Sequence, residues 1–333
     1  MVLHAPDTDC AADETTPHAI GIDVGGTNIR ASVVDEHGRI LAETHRRTPS
    51  SADALSSALV SVVDHLATGN PVDAVGVAVA GFVARDRATV TFAPHLPWRD
   101  APVAAELTAR VGLPVIVEHD VNSAAWAEYR FGAGASGENV VTLALGTGIG
   151  AALMVSGTLY RGSFGVAAEL GHLQVVPGGR ACPCGKRGCW ERYCSGTALV
   201  ETAVSFARRD PRAPGALSAA ALTAPDNLDG HAVAAAARDG DPLALSVFGS
   251  FAYWLGVGLA VIQDIYDPDA VLLTGGVSES ADLYLDTARA VAGELRTGGR
   301  YRRGAQVRVA ELGASASRIG AADLARTLIP NPR

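Results

Sequence analysis

Three cysteines and a histidine lie close together in residues 169–191, which read ELGHLQVVPGGRACPCGKRGCWE. Cys182, Cys184 and Cys189 form a C-x-C-x4-C pattern, and His172 stands a short distance upstream. Three thiolates and one imidazole complete a tetrahedral zinc site and leave no position open for a catalytic water. We therefore predict a structural zinc site with His172, Cys182, Cys184 and Cys189 as its ligands. A disulfide pair or buried free thiols are the alternative.

Two carboxylates, Glu169 and Glu191, stand at the two ends of this stretch. A zinc loop that only holds a fold together has no need of acidic residues at both ends. Sugar hydroxyls are bound well by carboxylates that accept their hydrogen bonds. The pattern predicts that the loop shapes a pocket for a polyol.

Three glycine-rich turns follow apolar strand patterns, at 23–27 (DVGGT), at 145–150 (LGTGIG) and at Gly275-Gly276. Glycine leaves the backbone N–H groups accessible, so a phosphate can approach them. Asp23 precedes the first turn, where a carboxylate can hold a hydrated Mg²⁺. None of the turns is a Walker loop or a dinucleotide fingerprint. Taken alone, the first turn is equally explained as an ordinary hairpin.

A fourth carboxylate, Asp120, follows the apolar strand pattern at 113–117 and comes just before a helical pattern. Ligands of open α/β sheets bind beyond the carboxyl ends of the strands. Asp120 is therefore a candidate general base, and the cap of the following helix is the alternative from this segment alone.

Length and composition limit the classes of protein to which this chain can belong. The chain has 333 residues, enough for two domains with full cores. Its net charge of −8 argues against nucleic acid or an anionic membrane as partner. We see no apolar run of the ~20 residues that a membrane span requires. Residues 1–18 are predicted to be a disordered leader, and five cysteines with four in one cluster indicate a reducing cytoplasm.

Together these motifs resemble the ROK family of repressors, open reading frames and kinases. The resemblance runs from Ile20 to Leu328, and its most specific part is E-x-G-H followed by C-x-C-G-x-x-G-C-x-E. It implies the actin–hexokinase (ribonuclease H-like) ATPase fold, with two α/β domains around a cleft. The small domain is expected at 19–123 plus 312–333, and the large domain at 124–311. Within the family the chain is most similar to bacterial ATP-dependent glucokinases.

The resemblance implies a role for each matching residue. Asp120 matches the base that takes the proton from the sugar 6-hydroxyl as it attacks the γ-phosphate of ATP. Glu169, His172 and Glu191 match residues that bind the other hydroxyls, and Asp23 matches the Mg²⁺ position. Contacts to ATP are implied for Gly25, Gly26, Thr27, Gly146, Thr147, Gly148, Gly275 and Gly276. A homodimer or homotetramer is expected.

Two histidines depart from the family pattern. The family commonly has E-N-D at the base, where this chain has Glu118-His119-Asp120, and A-P-N where it has Ala93-Pro94-His95. His119 takes the place of an asparagine that usually contacts the sugar. The alternatives are therefore a ROK kinase for mannose, an N-acetylhexosamine or fructose, or one that uses polyphosphate. A sugar-responsive repressor is a further alternative, although fewer than twenty residues precede the first predicted strand.

Overall fold

A computed structural model of the chain describes residues 18–212 and 214–329. The predicted leader lies outside this part of the chain except for His18, which begins the first strand. The strands are β1 (His18–Val24), β2 (Asn28–Val34), β3 (Ile40–Arg47), β4 (Val72–Val79), β5 (Phe82–Val83), β6 (Val90–Phe92), β7 (Arg99–Ala101), β8 (Val115–His119), β9 (Val140–Leu145), β10 (Ile149–Val155), β11 (Thr158–Tyr160), β12 (Ala270–Thr274) and β13 (Gln306–Val309). The α-helices are α1 (Ala52–Ala67), α2 (Val103–Val111), α3 (Asp120–Phe131), α4 (Gly196–Arg209), α5 (Ala216–Thr223), α6 (Gly230–Arg238), α7 (Pro242–Tyr266), α8 (Leu285–Leu295) and α9 (Ala316–Arg326).

The first five-stranded sheet has the order β3-β2-β1-β4-β8. β1, β2 and β3 form an antiparallel meander, whereas β1, β4 and β8 run parallel. Parallel strands end at the same edge of a sheet, so this topology brings Asp23 in β1 and Asp120 after β8 to one edge. Their approach depends on the pairing of β4 between these strands.

The second five-stranded sheet, β11-β10-β9-β12-β13, repeats this scheme. β9, β10 and β11 form antiparallel hairpins, and β9, β12 and β13 run parallel. The glycine turn at 146–148 joins β9 to β10, as the turn at 25–27 joins β1 to β2. The structure agrees with the weak internal repetition of the two hairpins in the sequence.

Helix α9 packs against the first sheet with almost no space between the backbones. A Cβ atom built on Gly21 or Gly76 would lie 1.8 or 1.9 Å from a carbonyl oxygen of α9. On another face of α9, a Cβ atom on Gly320 would lie 1.7 Å from the carbonyl oxygen of Ser123 in α3. Glycine at these positions therefore fixes α3, and with it Asp120, against the sheet.

Helix α7 is the central helix of the second core. It is the helix of the described residues that is long and apolar enough to cross a membrane by length and composition alone. However, 56% of its most apolar window is buried inside the molecule, and it packs against α8, α4 and α6. The sequence contains no apolar run that reaches ~20 residues, and this helix comes nearest to one because residues 243–263 carry no charge. Its burial is typical of a core helix.

Two elements have no clear signal in the sequence. Residues 210–230 are rich in Pro, Ala and Asp, which is typical of a loop, but they contain α5, whose Leu217 and Ala221 are buried in the second core. The short sheet β5-β6-β7 has strands of two or three residues, which carry little periodicity.

The two largest buried clusters belong to separate sheets. One contains residues between Ile20 and Val117, and the other contains residues between Val141 and Val307. We keep the division into 19–123 plus 312–333 and 124–311 as a proposal. Helix α3 packs against both α9 and β10, so it begins in one proposed domain and continues in the other.

We predict that Gly320→Ala destabilises the protein and that Gly249→Ala does not. The methyl group at 320 overlaps the Ser123 carbonyl oxygen, and overpacking of this kind costs about 1–3 kcal/mol or more. Gly249 lies in helix α7 with no atom within 4 Å of a built Cβ, so alanine there stabilises the helix by about 0.5–1 kcal/mol. Urea unfolding of both variants measures the difference, and equal midpoints would contradict this packing.

Candidate active site and metal centre

The four predicted zinc ligands meet at one point. The ligand atoms of His172, Cys182, Cys184 and Cys189 all lie within 4.8 Å of one another. The loop that carries them is fixed to the second core by Trp190, which is buried and donates its Nε1–H to the carbonyl oxygen of Trp254 in α7 at 2.7 Å. Trp190 is thus a packing residue.

The separations fit zinc and not a disulfide. A tetrahedral ion with Zn–S bonds of ~2.3 Å and Zn–N bonds of ~2.0–2.1 Å sets S···S near ~3.8 Å and S···N near ~3.6 Å. The Sγ atoms of Cys184 and Cys189 are 3.7 Å apart, and Sγ of Cys182 is 3.6 Å from Nδ1 of His172. Burial raises the pKa of the Cys182 thiol, and a bound metal would offset this by keeping the sulfur deprotonated. The donor set therefore fits a structural zinc ion.

Glu191 joins this cluster to the second glycine turn. Its Oε1 lies 3.2 Å from Sγ of Cys182, and its Oε2 accepts a long hydrogen bond of 3.5 Å from the N–H of Ile149. A Cβ atom on Gly148 would lie 2.4 Å from Oε2, so only glycine leaves room for this carboxylate. The predicted sugar residue and the predicted phosphate turn are therefore in direct contact.

Residues at the start of β10 also lie close to the loop that carries the predicted zinc ligands and to helix α3. A Cβ atom on Gly171, between Glu169 and His172, would lie 2.2 Å from the carbonyl oxygen of Ile149. A Cβ atom on Gly150 would lie 2.7 Å from Cγ2 of Val121, the neighbour of Asp120. Residues 148–150 therefore bring together the zinc loop and the helix that begins at Asp120. We refer to residues 148–150 as the β10 start.

Glu169 is the most accessible of the predicted sugar residues. Its side chain is 43% exposed, and its Oε2 lies 3.8 Å from Nε2 of His172. Because Nδ1 of His172 faces Cys182, Nε2 is the nitrogen that remains for other partners. The imidazole of His172 thus lies between the predicted cysteine ligands and the exposed side chain of Glu169.

Asp120 is the first residue of α3, and His119 occupies the N-cap position without a side-chain capping bond. The Asp120 Oδ1 atom accepts the N–H of its neighbour Val121 at 2.8 Å. Asp120 is therefore not the N-cap residue of α3. Its side chain is 30% exposed.

Glu118, two residues before Asp120, has a structural role. It is buried, and its Oε2 accepts from Nε of Arg161 at 2.7 Å and contacts Nη2 at 2.6 Å. Its Oε1 accepts from Nδ2 of Asn122 at 2.9 Å. This ion pair ties the end of β8 to the segment that follows β11.

Asp23 and Asp120 line one cavity of about 400 Å³, together with Gly275 and Gly276. Burial and, after it, the negative charge of Asp120 together raise the pKa of Asp23 to about 6. Arg30 and Arg318 act in the opposite direction and lower the pKa. A carboxylate of this kind is ionised at neutral pH and fits a Mg²⁺ ion, which prefers oxygen ligands.

A second cavity of about 460 Å³ adjoins the first at Gly276, which lines both. Gly146 and Thr147 line its polar side, and Leu199, Leu228 and Val277 give it an apolar side. Apolar walls next to glycine turns suit the base and the phosphates of a nucleotide.

The first glycine turn, residues 25–27, does not line the cavity of Asp23 and Asp120. Gly26 and Thr27 are exposed at the tip of the β1–β2 hairpin, and Thr48 holds the tip by donating its Oγ1–H to the carbonyl oxygen of Gly25 at 2.7 Å. A Cβ atom on Gly26 would lie 2.8 Å from Cβ of His95. Of this hairpin, Asp23 and Arg30 line the cavity.

Among the cavity residues that sequence reasoning missed are Arg30 and His231. Arg30 is the cross-strand partner of Asp23, and the register of the hairpin between them is the signal that predicts its position. His231, at the start of α6, lines the second cavity, and no local pattern predicts that position.

The model of the ROK family matches residues 19–328 of the chain. The chain belongs to the ROK family. Glucokinase from Streptomyces coelicolor is 45% identical over 313 residues, which cover 94% of this chain and 98% of that protein.

Solved ROK structures have the same fold. A ROK family glucokinase from Streptomyces griseus, crystallised with glucose and AMPPNP, has a TM-score of 0.81 at 46% identity, covering 93% of this chain and 99% of that chain. ROK hexokinase from Thermus thermophilus has a TM-score of 0.77 at 30% identity, covering 94% and 99%. The actin–hexokinase fold predicted from the ROK motifs is confirmed.

We predict that Cys184→Ser removes zinc and that Cys194→Ala does not. Cys184 supplies one of the four ligand atoms, whereas Cys194 is a buried free thiol outside the cluster. Metal analysis of zinc-replete protein should give about one zinc per chain for the wild type and for Cys194→Ala. Zinc retained by Cys184→Ser at the same level would contradict the ligand set.

We predict that Asp23→Asn stabilises the metal-free, ligand-free protein at pH 8 by about 1–3 kcal/mol. Because the pKa of Asp23 is raised from 3.8 to about 6 on folding, the wild type loses stability as the pH rises through about 6. Asparagine does not ionise, so the difference between the two proteins should vanish near pH 4. Urea unfolding at pH 4.5, 6 and 8 measures it. A difference independent of pH would show that the carboxylate is not the cause.

Proposed function

We propose that this ROK protein phosphorylates glucose at its 6-hydroxyl, with ATP as donor, to give glucose 6-phosphate for glycolysis. The observation that carries the proposal is the shared cavity of Asp23 and Asp120, which adjoins a nucleotide-sized cavity at Gly276. The Streptomyces relatives called glucokinase support the substrate, and the complex of one of them with glucose and AMPPNP supports ATP.

Asp120 is the proposed general base. As the sugar 6-oxygen attacks the γ-phosphorus, its proton passes to the Asp120 carboxylate, a new P–O bond forms, and the bond to the leaving ADP breaks. Phosphoryl transfer depends mainly on positioning and on stabilisation of charge. The contacts of Gly150 with Val121 support the positioning, because they fix the first turn of α3 relative to the second hairpin.

Metals are proposed in two roles. Asp23 would hold Mg²⁺, which supplies positive charge beside the phosphates when it is bound. His172, Cys182, Cys184 and Cys189 would hold zinc, whose contribution is structural. The contacts of Glu191 with Cys182 and Ile149 support this role, because a loop ordered by zinc keeps that carboxylate in place.

The remaining roles follow the family pattern. Glu169, His172 and Glu191 are proposed to bind the sugar hydroxyls, and His119, next to the base in the chain, takes the place of the family's sugar-contacting asparagine. The ATP phosphates are assigned to Gly25, Gly26, Thr27, Gly146, Thr147 and Gly148, and the adenosine to the turn of Gly275 and Gly276.

We further propose a cytoplasmic enzyme that acts as a homodimer or homotetramer. Free thiols at Cys182, Cys184 and Cys189 support a reducing compartment, since such clusters persist there as metal ligands.

The discriminating experiment is an initial-rate assay of zinc-replete protein on glucose, mannose, fructose and N-acetylhexosamines, with ATP or polyphosphate as donor. Highest kcat/KM for glucose with ATP is the expected result. Preference for another sugar would move the proposal to a different ROK kinase and direct attention to His119 and His95. Sugar binding without turnover on any substrate would favour a sensor role.

We predict that Asp120→Asn lowers kcat by about 10²–10⁴-fold with the fold unchanged. The amide cannot take up the sugar proton, but it retains an oxygen for the N–H of Val121. Asp73→Asn, at an exposed position of β4, is the matched control and should keep full activity. The base assignment fails if Asp120→Asn turns over glucose at a rate near that of the wild type.

A further inference from the structure

The side chain of His119 reaches the carboxylate of Asp120. Its Nε2 lies 3.2 Å from Oδ1 of Asp120, and the same Oδ1 accepts the backbone N–H of Val121 at 2.8 Å. Within residues 18–212 and 214–329, no hydrogen bond or ion pair reaches the other oxygen, Oδ2. Oδ1 of Asp120 therefore has polar neighbours that Oδ2 lacks among these residues.

An oxygen that accepts the Val121 N–H and has a ring nitrogen 3.2 Å away is a poorer place for a further proton than the other carboxylate oxygen. We propose that His119 is a positioning residue for the base: its Nε2–H and the Val121 N–H hold Oδ1, so that Oδ2 faces the substrate and takes the proton. This inference rests on the proposed function. In the reaction the O–H bond of the sugar breaks, the proton joins Oδ2, and the sugar oxygen bonds to phosphorus.

The backbone around His119 is held independently of its ring. Oε1 of Glu118 accepts the N–H of His119 at 3.2 Å, and Glu118 is itself fixed by Arg161. The ring makes no capping bond to α3, although His119 is the N-cap residue. No capping bond to the helix therefore competes with the contact between the imidazole and Asp120.

The geometry also specifies which nitrogen acts. Nε2 is the ring nitrogen near Asp120, so the proposed role requires the neutral ring to carry its proton there and leave Nδ1 as an acceptor. In side-chain length, the amide nitrogen of glutamine corresponds to Nε2 of histidine, whereas that of asparagine corresponds to Nδ1. Glutamine, not asparagine, should therefore replace His119 in this role, although ROK kinases commonly carry asparagine there.

The first test is steady-state kinetics of His119→Gln, His119→Asn and His119→Ala, with KM for glucose and for ATP measured separately. We expect His119→Gln to keep kcat within ~3-fold and the other two to lose ~10-fold or more in kcat, since small misplacement of a base is costly. KM for ATP should stay unchanged in all three. His65→Gln, at an exposed position in the last turn of α1, is the matched control.

Two outcomes would overturn the inference. A rise of KM for glucose at unchanged kcat would assign His119 to sugar binding alone, and full kcat in His119→Asn would exclude a contact through Nε2. Failure of the proposed function is separately visible, because the wild-type protein would then not phosphorylate glucose.

A second test does not depend on activity. Long-range ¹H–¹⁵N NMR of the histidine rings, with His119 assigned through His119→Gln, reports which nitrogen is protonated. We expect the Nε2–H tautomer in the wild type and a change in these signals in Asp120→Ala. The Nδ1–H tautomer in the wild type would contradict the proposal.

Discussion

The close packing at the β10 start is the constraint on which the candidate site depends. Gly148 leaves space for the Glu191 carboxylate, and Gly150 leaves space for Val121, which follows the base. Gly171 in turn packs on the carbonyl oxygen of Ile149. Packed interiors transmit displacement because they contain little free volume. The proposed metal loop, phosphate turn and base are thus positioned through one short backbone segment.

The proposed zinc would add order to a loop that contains many glycine and polar residues. Trp190 anchors this loop to α7. A bound metal lowers the free energy of an ordered loop, because the ligands must converge to bind it. The ordered loop would then present Glu169, His172 and Glu191 along its length. The metal would thereby affect the site without contacting reacting atoms.

The carboxylates of Asp23 and Asp120 lower the stability of the ligand-free protein. Asp23 is buried beside Asp120, and the repulsion between the two charges is only partly offset by Arg30 and Arg318. A bound cation would relieve this repulsion, so the ligand-free protein carries a destabilising feature that function requires. Positions like these depart from what stability alone would select.

The motifs can be found from the order of residues alone. The ligand spacing of Cys182, Cys184 and Cys189, the glycine turns and the carboxylate after β8 are local features, and the register of one hairpin is enough to pair Arg30 with Asp23. Which motifs touch depends on the tertiary structure. The contact between Glu191 and the β10 start joins segments that are distant in sequence. Helix α5 forms because Leu217 and Ala221 find a core to enter, which no local pattern specifies.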